Sequence, residues 1–122
     1  KINIVMTTDG TSKNVFYEIF KKYEVITNEE FENLKSINNI LILDKLNFDN
    51  WTSIINSSIY VITPECGCTH IASLSETKLC VIYDSDNVPS MIAEEYAPWK
   101  KKYTKLFSNN QNLEKELISF IS

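Results

Sequence analysis

The sequence predicts an α/β fold: a doubly wound parallel sheet of about five strands, flanked by helices. Short aliphatic runs recur along the chain and are apolar at nearly every position, which is typical of strands covered on both faces. Segments with apolar residues at helical spacing lie between these runs. Polar turn residues stand where the runs end, which favours alternating strands and helices.

Five runs predict the strands, and the segments between them predict the helices. The strands are expected at residues 2–6, 23–26, 40–43, 59–62 and 79–83. Val15, Phe16, Ile19 and Phe20 indicate the first helix. Asn28 is the predicted cap of a helix reaching residue 34. Further helices are expected over 49–57, after Gly67, and over 112–121, whereas the connection from 84 to 107 lacks clear periodicity.

Composition limits the classes of function. A chain of 122 residues corresponds to one domain, and we expect a single domain over 1–122. The net charge of −4 argues against a nucleic-acid-binding surface, since phosphate neutralisation needs clustered Lys and Arg. No apolar run is long enough to span a bilayer, so no transmembrane segment is expected.

The three cysteines predict neither a disulfide framework nor a metal centre. Cys66, Cys68 and Cys80 are odd in number, and with one histidine in the chain a closed zinc site would lack ligands. We expect them to be reduced and mostly buried, which fits a cytoplasmic protein. The lysine-rich segment 96–105 leaves open a peripheral position at the inner face of the membrane, although a solvated turn explains the segment better.

The stretch "ITPECGCTHIASLSETKLCVIYD" (62–84) predicts an anion-binding turn. Gly67 stands at the carboxyl end of a predicted strand, where open α/β sheets bind ligands. The helix that follows would leave N–H groups without acceptors, which suits a phosphate, and Thr69 and His70 are expected to face the same crevice. A tight strand-to-helix connection with no ligand remains the alternative.

The order of residues around this turn resembles glycosyltransferase family 9, the heptosyltransferase-like enzymes of lipopolysaccharide assembly. That family carries an Asp-Thr-Gly-x-x-His motif after a strand, and Glu65, Cys66, Gly67 and His70 fall on its four defined positions. A helix, a strand and a polar loop follow in the family order. The resemblance covers residues 40–90 well and the flanks more loosely.

The resemblance implies the Rossmann-like C-terminal half of a GT-B glycosyltransferase. Such an enzyme is inverting, metal-independent and without a cofactor, and moves a heptose-like sugar from a nucleotide diphosphate sugar to a glycan or lipopolysaccharide-type acceptor. An ADP-sugar is the expected donor. The N-terminal acceptor domain, which holds the catalytic base in the family, is expected to be absent. The chain would then have no catalytic residue and no turnover alone.

The resemblance also implies a set of donor-binding residues. The donor and its phosphates are expected to be bound by Lys13, Glu65, Cys66, Gly67, Cys68, Thr69 and His70. The backbone N–H groups of 66–68 are expected against the diphosphate, with Thr69 and His70 nearby. The nucleoside is expected near Glu29, Glu30, Lys45 and Leu46. The loop formed by Ser85, Asp86 and Asn87 is expected to face the donor.

Two other classes of function remain open. Glu65 and Cys66 depart from the family motif, which favours a catalytically inactive nucleotide-binding or protein-interaction module derived from such a transferase. A flavodoxin-like or receiver-like signalling domain would need an acidic cluster and a phosphoacceptor Asp at strand ends, for which Asp9, Asp44 and Asp84 are the candidates.

Overall fold

The structure, a computed structural model, describes residues 3–8, 17–36, 40–86, 97–98 and 102–122. It is an α/β protein whose described strands form two parallel three-stranded sheets. By its contacts the chain divides into two compact units, Lys1–Ser53 and Ile54–Ser122. Each unit contains one of the sheets.

The first unit is built around a central aliphatic strand. Its elements are β1 (Ile4–Thr8), α1 (Tyr17–Lys22), β2 (Glu24–Ile26), α2 (Asn28–Glu32) and β3 (Ile40–Asp44). The sheet order is β1-β3-β2 with both pairings parallel. Ile42 and Leu43 in β3 have no exposed surface, because neighbouring strands and covering residues leave the central strand no contact with water.

The second unit repeats this pattern with β5 at the centre. After α3 (Phe48–Ser57), which begins in the first unit, come β4 (Tyr60–Pro64), α4 (Gly67–Ser73), β5 (Lys78–Tyr83), β6 (Thr104–Phe107) and α5 (Leu113–Phe120). The order β4-β5-β6 is parallel throughout, with Pro64 opposite Ile82 and Tyr83 opposite Phe107. Cys80, Val81 and Tyr83 are fully buried. The carboxyl ends of the three strands therefore meet at one edge of this sheet.

Each of the five predicted strands has a counterpart in the structure. The predicted number of strands and the prediction of one sheet need correction. The described residues contain six strands in two sheets of three. The sequence missed β6, which lies inside the connection that lacked periodicity. Only Leu106 of this strand is buried and Lys105 is exposed, so β6 has no aliphatic run to reveal it.

Two local features also differ from expectation. The cap of α2 is Thr27 rather than Asn28, and α2 ends at Glu32 rather than residue 34. In the Rossmann dinucleotide-binding order the second strand lies between the first and third, whereas here β3 lies between β1 and β2.

Among the described residues, no helix combines the length and apolar character that crossing a membrane requires.

Candidate functional site

The candidate site lies at the carboxyl edge of the second sheet. Because β4, β5 and β6 run parallel, the turn after β4 and the loops after β5 and β6 all emerge at this edge. Of the residues expected near the donor, those from Glu65 to His70 belong to the turn after β4 and to α4, and Ser85 and Asp86 belong to the loop after β5.

The buried hydroxyl of Thr69 holds the turn after β4 together. Thr69 has no exposed surface, and its Oγ1 donates to the Pro64 carbonyl oxygen at 3.3 Å. Thr69 Oγ1 also accepts from the Cys66 N–H at 3.4 Å, and the Thr69 N–H donates to the Cys66 carbonyl at 3.0 Å. The Thr69 hydroxyl therefore connects the turn to the end of β4.

One of the three backbone N–H groups expected to bind the diphosphate already has a partner within the turn. The Cys66 N–H is occupied by Thr69. Gly67 and Cys68 take the first two positions of α4, where a helix leaves N–H groups without intrahelical acceptors. Gly67 is exposed, and His70, half-buried, lies one turn further along. These positions keep the two backbone donors available to an anion at the edge.

The thiols of the turn differ in their surroundings. Cys66 is exposed, which corrects the expectation of burial, and its Sγ lies 3.4 Å from Thr63 Oγ1. Cys68 is half-buried; burial raises the pKa of its thiol to about 11, while a hydrogen bond with Thr63 acts in the opposite direction and the neighbouring Cys66 in the same direction. Burial also raises the pKa of Cys80, in the core, to about 11. Cys68 and Cys80 are therefore neutral thiols at physiological pH.

Paired serines join the loops after β5 and β6. The Ser85 N–H donates to Ser108 Oγ at 2.9 Å, and Ser108 Oγ donates to Ser85 Oγ at 3.1 Å. Ser85 Oγ also accepts from the Asn109 N–H at 2.9 Å. The sequence did not single out Ser108 or Asn109, because the strand that positions them was missed. Ser85 thus has a structural partner at the place where a ligand contact was expected.

Tyr83 is the last residue of β5 and is fully buried next to this edge. Its hydroxyl lies 3.3 Å from that of Tyr103, and its ring packs against Phe107 with centroids 6.0 Å apart. Burial raises the Tyr83 pKa, with further contributions from Tyr103 and from the charge of Glu65.

The edge is acidic in the residues that the structure describes. Glu65 follows β4, while Asp84 and Asp86 follow β5. The Asp84 carboxylate accepts from the Asp86 N–H at 2.9 Å. An anion at this edge would need positive charge from elsewhere in the protein, because like charges repel at close range.

The residues expected near a nucleoside lie in the first unit. Glu30 Oε1 accepts from the Thr27 N–H at 3.4 Å and from Thr27 Oγ1 at 3.1 Å, so Glu30 belongs to the capping box of α2. Glu29 is exposed in the same turn. Lys45 has a φ of 55° and donates its N–H to the Thr8 carbonyl at 2.8 Å. Leu46, half-buried, follows it.

An asparagine network, not expected from the sequence, supports the turn at Lys45. Asn28 Oδ1 accepts from the Asn47 N–H at 2.8 Å and from Asn50 Nδ2 at 2.9 Å. Asn50 Nδ2 also donates to Glu32 Oε1 at 3.0 Å. The starts of α2 and α3 are thereby connected. Asn28, predicted as a cap, instead links these two helices.

Several candidates fall outside the described residues, and others belong to different units. Lys13, Asn87 and Asp9 fall outside the described residues. Asp44 ends β3 in the first unit, and Asp84 follows β5 in the second. Within the described ranges, no group of three or more His, Cys, Asp or Glu side chains is arranged to hold a metal ion.

The comparisons with known proteins assign no family. No protein-family model matches the sequence, and searches of curated proteins and of solved structures find no significant match.

Proposed function

We propose that this chain binds the diphosphate of a nucleotide sugar, as the donor-binding domain of an inverting, metal-independent GT-B glycosyltransferase. The acceptor is a glycan or a lipopolysaccharide-type glycolipid, and a separate N-terminal domain supplies the catalytic base. The transfer takes place in the cytoplasm or at the inner face of the membrane. The role of this domain is to position the donor and stabilise the leaving diphosphate.

One observation carries the proposal: the Cys-Gly-Cys turn stands at the carboxyl edge of three parallel strands. Open α/β sheets bind ligands at this edge. Gly67 and Cys68 present backbone N–H groups there, and no Cβ at Gly67 obstructs an approaching phosphate. The order of residues shared with glycosyltransferase family 9 supports the same assignment.

The described residues of the edge bring negative charge toward a bound diphosphate. Glu65, Asp84 and Asp86 oppose a diphosphate, and two backbone donors offset this only in part. Lys13, which follows β1 in the chain, is the cation that the family resemblance assigns to the phosphates. Binding of ADP should therefore depend strongly on Lys13 and weaken as salt is added.

A second candidate function is a catalytically inactive module that binds a nucleotide or a protein partner. The acidic residues at the edge favour it. So do the hydrogen bonds that the Thr69 hydroxyl and the Cys66 N–H already make within the turn. Neither of those groups can then be a donor to phosphate without breaking its present hydrogen bond.

Calorimetry with ADP and adenosine tests the phosphate site. We expect ADP to bind more tightly than adenosine, and Lys13→Gln to weaken ADP about tenfold or more, since a charge-assisted hydrogen bond contributes about 1.5–3 kcal/mol. Gly67→Ala should weaken ADP but not adenosine. Ser119→Ala, on the exposed side of α5, is the control and should change neither. Equal affinity for ADP and adenosine would contradict the phosphate site.

A partner-binding assay separates the two candidate functions. If the chain is a transferase domain, adding the N-terminal domain to the wild-type chain yields sugar transfer. Gly67→Ala and His70→Ala then weaken binding of the nucleoside diphosphate and lower this transfer. In the inactive module the same variants leave partner binding intact, and no combination with an acceptor domain yields transfer.

A further inference from the structure

Helix α5 is attached to the second unit more lightly than α4. None of its residues is buried, whereas α4 buries three of its own. Among the described residues, the hydrogen bonds made by 113–122 all stay within 110–122. The ring of Phe120 packs edge-on against that of Tyr60, with centroids 5.5 Å apart. In the described part of the chain, apolar packing therefore holds α5 in place without a hydrogen bond to the sheet.

The residues beneath α5 belong to one face of the second sheet. Alternate side chains of a strand point to the same face, and residues paired across parallel strands share that face. Ile62 pairs with Cys80, so Tyr60 and Cys80 lie on the same face. Ile82 pairs with Leu106, which adds Leu106 to it. Cys80 and Leu106 are buried, whereas Ile62 is 44% exposed, so α5, which packs on Tyr60 and contacts β6, covers this face only in part.

The length and the ends of α5 give it little stability of its own. Isolated helices shorter than about 12–15 residues are marginal in water, so a helix of 8 residues depends on its packing. The packed side, which includes Leu113 and Leu117, is only half-buried. The N-cap Asn112 makes no side-chain capping hydrogen bond, and the last turn of α5 carries no basic residue to complement the helix dipole. Elements with so few buried contacts open at a lower free energy than the core of a protein.

We propose that α5 is a detachable helix, which unfolds locally while β4, β5 and β6 remain paired. Its detachment opens one face of the second sheet to solvent, and Cys80 and Leu106, buried in the closed form, become accessible. Helix α4 stays in place in the open form, because the buried Thr69 hydroxyl joins it to the Pro64 carbonyl at the end of β4. This conformational change does not depend on nucleotide binding.

The reactivity of Cys80 in the native protein measures the opening. In a Cys66→Ser/Cys68→Ser background, Cys80 is the one remaining cysteine of the 122-residue chain. A small thiol reagent labels Cys80 only while it is exposed, so the labelling rate gives the free energy of opening when closing is faster than labelling. Urea denaturation of the same protein gives the free energy of global unfolding. We expect opening to require less free energy than global unfolding and to depend less on urea, since this dependence scales with the surface exposed.

Glycine and alanine at matched helix positions identify the element that opens. Ser119 in α5 and Ser53 in α3 are both exposed. Without urea, Ser119→Gly should be labelled about fivefold faster than Ser119→Ala, because glycine is the poorer helix former. Ser53→Gly and Ser53→Ala should be labelled at the same rate. The proposal is overturned if labelling of Cys80 follows the free energy and urea dependence of global unfolding, if the two Ser119 variants are labelled at one rate, or if the Ser53 variants differ as much as the Ser119 variants.

Discussion

Cys66 and Thr69 are joined by two hydrogen bonds that define the turn after β4. The Cys66 N–H donates to Thr69 Oγ1 at 3.4 Å, and the Thr69 N–H donates to the Cys66 carbonyl at 3.0 Å. Because Thr69 Oγ1 also donates to the Pro64 carbonyl, one buried oxygen connects the end of a strand with the start of a helix. The position of Gly67 and Cys68 depends on this connection.

Replacing Thr69 by valine should destabilise the protein. The substitution keeps the shape but leaves the Pro64 carbonyl and the Cys66 N–H without this partner, so the free energy of unfolding should fall by about 1–3 kcal/mol. The measurement is urea denaturation. Thr52→Val is the matched control, because its hydroxyl bonds the Phe48 carbonyl on α3 near the surface and its loss should cost less than about 0.5 kcal/mol. Equal effects at the two positions would refute the role assigned to Thr69.

Ser85 and Ser108 should behave as an energetically coupled pair. Ser108→Ala removes both of their mutual hydrogen bonds, and Ser85→Ala removes the bond between the two hydroxyls, so the loss in the double variant should be smaller than the sum of the single losses by about 1 kcal/mol. Urea denaturation of the four proteins gives this coupling free energy. Ser85→Ala combined with Ser119→Ala, two residues without a shared hydrogen bond, should be additive. Additivity in both pairs would mean that the serines do not connect the loops.

Stability should decline as pH rises from 9.0 to about 11. The pKa of Cys80 is raised by burial from 9.0 to about 11, so in this window the unfolded chain loses the proton that the folded protein keeps. The contribution is fully present below pH 9.0 and is lost as pH rises through about 11. Cys68 and Tyr83 have pKa values raised in the same direction.

Alanine at Cys80 isolates one part of this pH dependence. The free energy of unfolding of Cys80→Ala, measured by urea denaturation, should fall less steeply across the window than that of the wild type. Cys66→Ala should leave the contribution of Cys80 unchanged. A wild-type slope in Cys80→Ala would show that this thiol titrates normally in the folded protein.

Lys45 should tolerate glycine but not a β-branched residue. Its φ of 55° is in the left-handed region, where glycine has no steric cost and valine is strongly disfavoured. Lys45→Gly should therefore be at least as stable as the wild type, and Lys45→Val should lose about 1–2 kcal/mol. At Lys105, exposed on β6, the order should reverse, since strands favour valine over glycine. The same order at both positions would contradict the left-handed assignment.

How far the sequence predicted the structure depends on the element. The aliphatic runs that became β3 and β5 were predictable because central parallel strands are buried on both faces. β6 was not, since its single buried residue, Leu106, forms no pattern. The strand order was not predictable either, because parallel strands joined by helices can be arranged in more than one order, and periodicity does not distinguish among them.

The candidate site was predictable in position but not in detail. Gly67 after an apolar run marks the strand-to-helix turn, and the structure has a turn there. A sequence shows that Thr69 and Glu30 carry hydrogen-bonding groups, but not whether those groups point inward. In the structure Thr69 serves the turn and Glu30 serves the cap of α2. The same residue types could equally have faced a ligand.

The most direct test of the proposed function is an amide chemical-shift titration of the protein with ADP, UDP, GDP and CMP, with inorganic pyrophosphate as a probe of the phosphate site alone. The proposal predicts shifts concentrated at the amides of Gly67, Cys68 and Lys13 for one nucleoside diphosphate, and smaller shifts at the same turn with pyrophosphate. If the turn amides do not shift at millimolar concentrations of any of these ligands, the turn is only a strand-to-helix connection and the donor-binding proposal is contradicted.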